Sequence, residues 1–590
     1  MMNQLAGDIN EASSGSEYLK LLCVGLVQFN IEKHFEQKHT RKKVTDPDTG
    51  EHRYERTVSR IPATSIFPYS VGLLQAYAQE HCKHAERIDF AALIHRRISI
   101  SEAVEELKCL DLVGFSNYVW NEQLNLKVAK ILKKMDPDKI IVFGGPQVPN
   151  EGIEYLAEHE EIDLLCHGEG EVTFSRILDH FWDKNWAVIP SITYRTNASV
   201  TKRNPNNERV KKMDTIPSPY TKGVFDTLKQ KYSDHSWVAP WETNRGCPFK
   251  CSFCDWGSAT ASRVYRFDEE RIGNEVEWFG NQRVGTVICC DANFGIVNRD
   301  EKIAEAIVNS RKSKGFPFVF AIQNSKNATE RTYRIQKMIN EYMITIGVTL
   351  SLQTVNPKSL KAIARENIST QSYEDLQQRF SLDGTYTYTD VILSLPEEDY
   401  ESFRDGVEVI IQNGQYNHIQ FHNLSILPNA EMGNAAYQER YGMKVVPQRI
   451  VAIHDYIEDV SGEEVAEYLD VVVGTNTLLS NDWHKAKVFS WYMDFIFFDK
   501  ISQVALLLLK RLLGIRVVDM VDAIMYADSE TYPILHELNS LAFEHSRKIQ
   551  DGGDEYIPSE EWMGVYWPVN QYLRLTLLDT AKLNRFYDEL

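Results

Sequence analysis

Nowhere in the 590 residues is there an uninterrupted apolar run of the ~20 residues that a membrane-spanning helix needs. The most hydrophobic part, Phe489 to Val518, is broken by Asp494, Asp499, Lys500, Lys510, Arg511 and Arg516, and so reads as core helices. The N-terminal MMNQLAGDINEASSGSEYLK has no basic segment followed by an apolar one, which argues against a signal peptide and sets the expectation of a cytoplasmic protein. Positive charge is also short. With 64 Lys plus Arg against 83 Asp plus Glu, the formal charge is −19. Such a chain is repelled by phosphate backbones and anionic lipid, so bulk nucleic-acid binding is disfavoured, although a local basic groove stays open. There is no internal repeat and no low-complexity tract. Cysteine is sparse and odd in number, nine in all, which points to reduced thiols, and to metal rather than disulfides wherever the thiols cluster.

What is present is an alternation of strand and helix patterns. The length allows roughly three to four domains at ~150 residues each. Apolar runs at Leu19 to Phe29, Arg87 to Ile94, Asp111 to Ser116, Lys139 to Gly145 and Glu161 to Glu171 imply five strands of a parallel sheet. Between them lie FPYSVGLLQAYAQEH with Pro68 near its start, SISEAVEELKC with Ser99 and Glu102 at capping-box spacing, and LNLKVAKILKKM at helical spacing. Residues 1–185 are therefore expected to form a Rossmann-like domain. A polar insertion at 32–64 is longer than ordinary loops and reads as a lid or a disordered segment.

Residues 186–235 lack periodicity and read as a linker or small connecting hairpin. The runs WVAPWET, VGTVICCDANF, FVFAIQN, ITIGVTLSLQT, YTDVILSLP and HIQFHNLSILP follow, separated by helix-like segments. Six such units over 236–440 suggest a partial (β/α)6 TIM-like barrel with its site at the strand C-termini. From 441 to 590 helical, aromatic-rich segments dominate, giving a mostly helical C-terminal domain. Its Trp483, His484 and Trp491, and the segment Glu560 to Tyr572, are expected to be core before they are expected to touch substrate.

The densest chemistry is NRGCPFKCSFCDWGS, Asn244 to Ser258, where Cys247, Cys251 and Cys254 fall within eight residues. A zinc site or an iron–sulfur cluster would use such thiolates. Structural zinc is normally closed by four protein ligands, whereas this triplet has no second pair. Cys289 and Cys290 lie in the apolar run TVICCDANF and read as small core residues. The sharper reading is a site with one open coordination position.

A CxxxCxxC triplet after a strand and a glycine resembles the radical S-adenosylmethionine superfamily. Further matches follow in order: CCDANFG at Cys289 to Gly295, IGVTLSLQT at Ile346 to Thr354, DVILSLPEEDYESF at Asp390 to Phe403 and LSILPNAEM at Leu424 to Met432. The chain departs from the pattern with Ser394 and Glu397, and with Asn429 and Ala430, where glycines and small turn residues are common. The resemblance implies that Cys247, Cys251 and Cys254 hold a 4Fe-4S cluster whose fourth iron takes S-adenosyl-L-methionine. By position it places Phe253 on the adenine, Asp291 and Asn293 near the methionine moiety, and Gln353 and Thr354 near the ribose.

A Rossmann-like domain ahead of such a barrel resembles the cobalamin-binding subfamily. This rests on DLVGFSNYVWN (Asp111 to Asn121), IVFGGPQVP (Ile141 to Pro149) and HGEGEVTF (His167 to Phe174), all at strand C-termini, where open parallel sheets bind ligands. The contacts implied are Ser116, Asn117, Tyr118, Trp120, Asn121, Gly144, Gly145, Pro146, Gly168, Glu169 and Gly170. No GxGxxG dinucleotide fingerprint is present, and no DxHxxG element supplies a lower histidine ligand, which leaves Gln28 and the Tyr118 to Asn121 turn as candidates beneath the corrin.

The function implied is a cobalamin-dependent radical enzyme that methylates an unactivated carbon of a small-molecule or peptide substrate, through a 5'-deoxyadenosyl radical and with an electron donor such as flavodoxin or ferredoxin. Three alternatives stand beside it. One is radical cyclisation, rearrangement or oxidation without methyl transfer. Another is a methylthiotransferase acting on RNA or protein, which should show a second cysteine triplet upstream that the scattered Cys23, Cys82, Cys109 and Cys166 do not provide. The third is a non-enzymatic cobalamin or metal sensor.

Overall fold

The computed structural model describes residues 21–30, 64–197, 200–256, 262–325, 330–457 and 465–590, and the backbone of two strands at 37–45 and 52–60. Leu22–Val27, Leu112–Ser116, Ile140–Gly144 and Leu164–Cys166 are runs of apolar residues, and helices cover both faces of the sheet they build, as continuous hydrophobicity requires. The order across the sheet is Ile88–Phe90, Leu22–Val27, Leu112–Ser116, Ile140–Gly144, Leu164–Cys166, all parallel, followed by Ile192–Asn197 and Val200–Arg203, both antiparallel to their neighbours. The chain reverses its direction of growth between the first strand and Leu112–Ser116. That is a topological switch point, where open sheets of this kind bind ligands. The final two strands form an antiparallel hairpin at the edge of this sheet, within the segment 186–235 expected to be a linker or a small connecting hairpin.

Helices enter as their caps dictate. Ser99 Oγ accepts from Glu102 N at 3.2 Å to open Ile100–Leu107, and Pro68 precedes Tyr69–His81. Of the insertion at 32–64, the described part is an antiparallel pair, Gln37–Thr45 with His52–Arg60, and Thr64. Its expected role as a lid or a disordered segment otherwise lies outside the described residues.

The second parallel series lies in two sheets. Ser236–Trp241, Thr286–Cys289 and Val319–Ala321 are adjacent in one, and Val348–Thr349, Thr387–Leu393 and Ile419–Asn423 in the other. Six strands in chain order with outer helices make an open, barrel-like half-wrap. A short strand from before the Rossmann-like helices, Thr64–Ile66, extends the first sheet by pairing parallel to Ser236–Val238. The second half of the chain is mainly helical from Ser480–Tyr492 onward, after an antiparallel sheet of Ser425–Ile426, Tyr468–Val472 and Val445–Arg449.

The core crosses the boundary that the sequence suggests. One apolar cluster runs from Leu22, Leu112 and Ile140 through Phe67 and Trp237 to Val287 and Phe320. Phe67 stacks on Trp237 at 4.2 Å and on Phe225 at 4.9 Å. A second cluster joins Val348, Val391 and Ile419 to Trp483, Phe489, Val521 and Leu538. Trp483 and Trp491 are thus core residues. Among the described residues no helix is long and apolar enough to cross a membrane.

Candidate functional site

The cysteine loop leaves the end of Ser236–Trp241 through Glu242 and Thr243, and its stems pair as Asn244↔Arg266 and Arg245↔Tyr265. Gly246 sits at φ 117°, and a Cβ there would stand 2.1 Å from Arg263 O, so only glycine lets the stems close. Asp291, at the end of the next strand, nails the first stem. Its carboxylate accepts from Thr243 N at 2.8 Å, Thr243 Oγ1 at 2.5 Å, Asn244 N at 3.1 Å and Asn244 Nδ2 at 2.6 Å. Burial pushes this carboxyl up to about 7, while those donors pull it down. Asn293 donates from Nδ2 to Cys247 Sγ at 3.2 Å. On the far side, Ser252 N donates to Ile363 O at 3.1 Å, and Met432 N donates to Ser252 O at 3.0 Å.

Cys247, Phe253, Cys254 and Trp256 open onto a cavity of about 170 Å³, walled opposite by Ser351, Gln353, Arg365 and Asp390. Among the described residues no further cysteine and no histidine lines it. Cys251 is buried beside the Arg365 guanidinium. Burial lowers the pKa of Arg365, and the neighbouring Cys251 opposes that shift. Arg365 is fixed by Nη2 to Ser351 O at 2.6 Å and Nε to Asn367 Oδ1 at 2.9 Å. Cys289 is buried away from the cavity, and the Cys290 carbonyl accepts from Trp256 Nε1 at 2.9 Å. Among the described residues, no three His, Cys, Asp or Glu side chains stand together in metal-binding geometry, the three loop cysteines included.

A second cavity, of about 250 Å³, shares Phe253, Gln353 and Asp390 and adds Ile392, His422, Leu424 and Leu427. Asp390 accepts from Ser351 Oγ and lies 3.3 Å from His422 Nε2. Gln353 turns the chain at φ 66°. Thr354 points away from both cavities, donating its hydroxyl to buried Glu398, whose carboxyl burial pushes up to about 8. Sequence reasoning missed Ser351, Arg365, Asp390 and His422. Asp390 and Ile392 stand two apart along Thr387–Leu393, a period-2 signal that could have flagged that lining face, whereas Thr349 to Gln353 line the first cavity consecutively at and beyond the end of their strand. For Arg365 there was no signal.

At the Rossmann-like end the expected residues bind mostly one another. Ser70 Oγ lies 3.0 Å from Ser116 Oγ and donates to Gln28 Oε1 at 2.7 Å. Asn117 N donates to Gly144 O at 2.6 Å, and its Oδ1 accepts from Asn125 Nδ2 at 2.9 Å. Asn121 Oδ1 accepts from Tyr118 N at 2.8 Å while its Nδ2 donates to Phe29 O and Ser116 O. Tyr118 stacks on Trp120 at 4.4 Å. Gly145, at φ 113°, would carry a Cβ 2.6 Å from Asn117 O. Pro146 O and Val148 O accept from Asn429 Nδ2, both at 2.9 Å, and Asn150 N donates to Asn429 Oδ1 at 2.8 Å, so the unusual Asn429 clips the last barrel loop to this sheet. Gly168 and Glu169 line a separate cavity of about 620 Å³ with His167, Arg203 and Arg209, and Gly170 opens the helix Gly170–Asp179.

Residues 241–410 match the model of the radical SAM superfamily. The chain is 36% identical over 433 residues to the 2-(S-pantetheinyl)-carbapenam-3-carboxylate methyltransferase of Streptantibioticus cattleyicolor, covering 72% of this chain and 62% of that protein. It is 35% identical over 439 residues to the cobalamin-dependent radical SAM methyltransferase TokK of Streptomyces tokunonensis, covering 73% and 63%. The chain thus spans a little over three fifths of the length of these curated relatives. Among solved structures, the radical S-adenosylmethionine methyltransferase TsrM from Kitasatospora setae with cobalamin and a [4Fe-4S] cluster aligns at TM-score 0.54 and 14% identity, covering 94% of this chain and 99% of that one. The cobalamin-dependent S-adenosylmethionine radical enzyme OxsB aligns at TM-score 0.54 and 15% identity, covering 97% and 77%. The chain belongs to the radical SAM superfamily. Within it, the chain is a homologue of proteins named as cobalamin-dependent radical SAM methyltransferases.

Proposed function

We propose that this chain is a cobalamin-dependent radical S-adenosylmethionine methyltransferase acting on an unactivated carbon of a small molecule. The observation that carries the reading is the three-cysteine loop opening onto a cavity that, among the described residues, no further thiol or imidazole lines. Three soft thiolates suit an iron–sulfur cluster, and the absence of a fourth such donor leaves one iron for a non-protein ligand. The Asn293 amide beside Cys247 and the Arg365 guanidinium beside Cys251 offset the negative charge that three thiolates gather. When bound, the cluster with S-adenosylmethionine supplies a hydrogen-abstracting carbon radical, and cobalamin supplies the methyl group.

The chain's own residues bind, orient and exclude water. Phe253 with Ile392, Leu424 and Leu427 makes an apolar slot suited to a planar base. Asp390, held by Ser351, is a fixed acceptor for sugar hydroxyls, and Gln353 stands at the junction of the two cavities. Arg365 presents a cation to an amino-acid carboxylate. Thr354 serves through Glu398 rather than by contact. In the Rossmann-like domain, Ser116 and Gln28 flank the switch point, and Gly144 to Pro146 with Gly168 to Gly170 form loops whose backbone a large flat ligand can approach. Small-molecule chemistry is favoured over a peptide by the carbapenam acceptor in the relative's name. An external electron donor such as flavodoxin or ferredoxin and a cytoplasmic setting complete the proposal.

Anaerobic reconstitution followed by assay for 5'-deoxyadenosine and S-adenosylhomocysteine tests it. Both products, with cobalamin bound, are expected. 5'-Deoxyadenosine alone would replace methylation by another radical reaction, and neither product would remove the enzyme reading.

A further inference from the structure

The cysteine loop is tied to the Rossmann-like sheet through a closed charge network. Arg245, directly before Gly246 and Cys247, places Nη2 2.7 Å from Glu171 Oε1 and 2.8 Å from Glu242 Oε2, with Nη1 4.0 Å from Glu169 Oε1. Glu169 accepts from Arg209 Nη2 at 2.9 Å and from Val210 N at 2.8 Å. Arg209 Nη1 donates to Ser262 Oγ at 2.7 Å, and Ser262 N donates to Cys247 O at 2.8 Å. The two sides of the loop therefore end on neighbouring glutamates, Glu171 through Arg245 and Glu169 through Arg209, at the start of the helix Gly170–Asp179.

This arrangement is expensive to bury. The Arg245 side chain is 11% exposed and that of Glu171 is 4% exposed. A buried ion pair gives little net stability over apolar packing of the same volume, and its best-attested use is to fix one geometry among several. Glu169 is thereby occupied by arginine rather than free for a ligand. The geometry is also directional. One arm holds the strand entering the loop at Arg245, the other holds Ser262 ahead of the leaving strand, and Gly246 lets the two stems touch.

We infer that Arg245 and Arg209 are positioning residues that set the cysteine loop at a fixed spacing from the ligand crevice of the Rossmann-like sheet, so that one substrate carbon lies within reach of both bound groups. This rests on the two-cofactor reading above. Breaking the clasp should loosen the loop without unfolding either sheet, and should separate S-adenosylmethionine cleavage from methyl transfer.

The first test uses the purified full chain without cofactors. In Glu171→Gln, amide hydrogen exchange in peptides covering 244–254 should rise at least ~10-fold, while strands 112–116 and 387–393 keep wild-type protection. Unchanged exchange in the loop would overturn the inference. If Glu171→Gln fails to fold, Arg209→Met cuts the more exposed arm and the same comparison decides. The second test uses reconstituted protein with S-adenosylmethionine and a chemical reductant. The ratio of S-adenosylhomocysteine to 5'-deoxyadenosine should fall at least threefold in the variant, whereas a parallel fall in both would mark a merely structural role and count against the proposal. A wild type that makes neither product defeats the two-cofactor reading, and hydrogen exchange still decides the clasp.

Discussion

The two ligand ends of this molecule are built differently. At the barrel end, residues from five segments converge on open space: Cys247, Phe253 and Cys254 from the loop, Ser351 and Gln353, Arg365, Asp390, and His422. At the Rossmann-like end, Ser116, Asn117 and Asn121 satisfy each other and their neighbours, and Gly145 lies against the Asn117 backbone while Gly168 faces open space. The contrast follows from chemistry. A cluster needs soft donors on a short loop with room beside them, whereas a large flat ligand is held by many weak contacts over a broad surface whose polar groups pair among themselves when buried.

The sharpest break in this comparison is Cys251→Ala. It should abolish the brown iron–sulfur absorbance and bring 5'-deoxyadenosine to background while leaving cobalamin binding at the other end intact. Loss of both together would show that the two ends are not separable. Asn429→Ala cuts the clip between them. Three hydrogen bonds at about 1 kcal/mol each put the expected destabilisation at ~2–3 kcal/mol, read as a lower denaturant midpoint.

Glu398 sharpens the barrel side through pH. Its folded pKa, pushed up to about 8, lies above the unfolded value near ~4.3, so its contribution is complete below the unfolded value and is lost as pH rises through the folded one. Between about pH 4.5 and 8 the melting temperature of the wild type should therefore fall more steeply than that of Glu398→Gln, and parallel curves would remove this account. The smallest effect belongs to Ser394→Gly. Ser394 sits at φ 76° and Glu397 at φ 62°, where non-glycine residues are strained, so glycine at 394 should stabilise by about 1 kcal/mol in thermal melts.

Much of this was legible in the chain. The strands of the Rossmann-like sheet stand where the apolar runs stood, because a doubly covered parallel strand must be apolar along its whole length. Ser394 and Glu397 were recognisable as departures, and the positive φ at both explains why glycine is the usual occupant. Arg365 was not legible. A lone arginine in a helical pattern looks like any surface cation, and only the return of Ile363 onto Ser252 brings it to the thiols. Nor was it legible that Thr64–Ile66 would extend the first barrel sheet at its edge, since strand pairing is a long-range choice.

By itself the sequence determined the donor set and the class of fold. Three thiols within eight residues and alternating apolar periods are local properties that need no partner to be read. Only the tertiary structure decided which side chains meet those thiols, that Thr354 turns to Glu398 while Asp390 turns to the cavity, and that Glu169 and Glu171 grip the cysteine loop through Arg209 and Arg245. These pairings join residues tens to hundreds of positions apart, and packing selects them by burying charges that must find opposite charges.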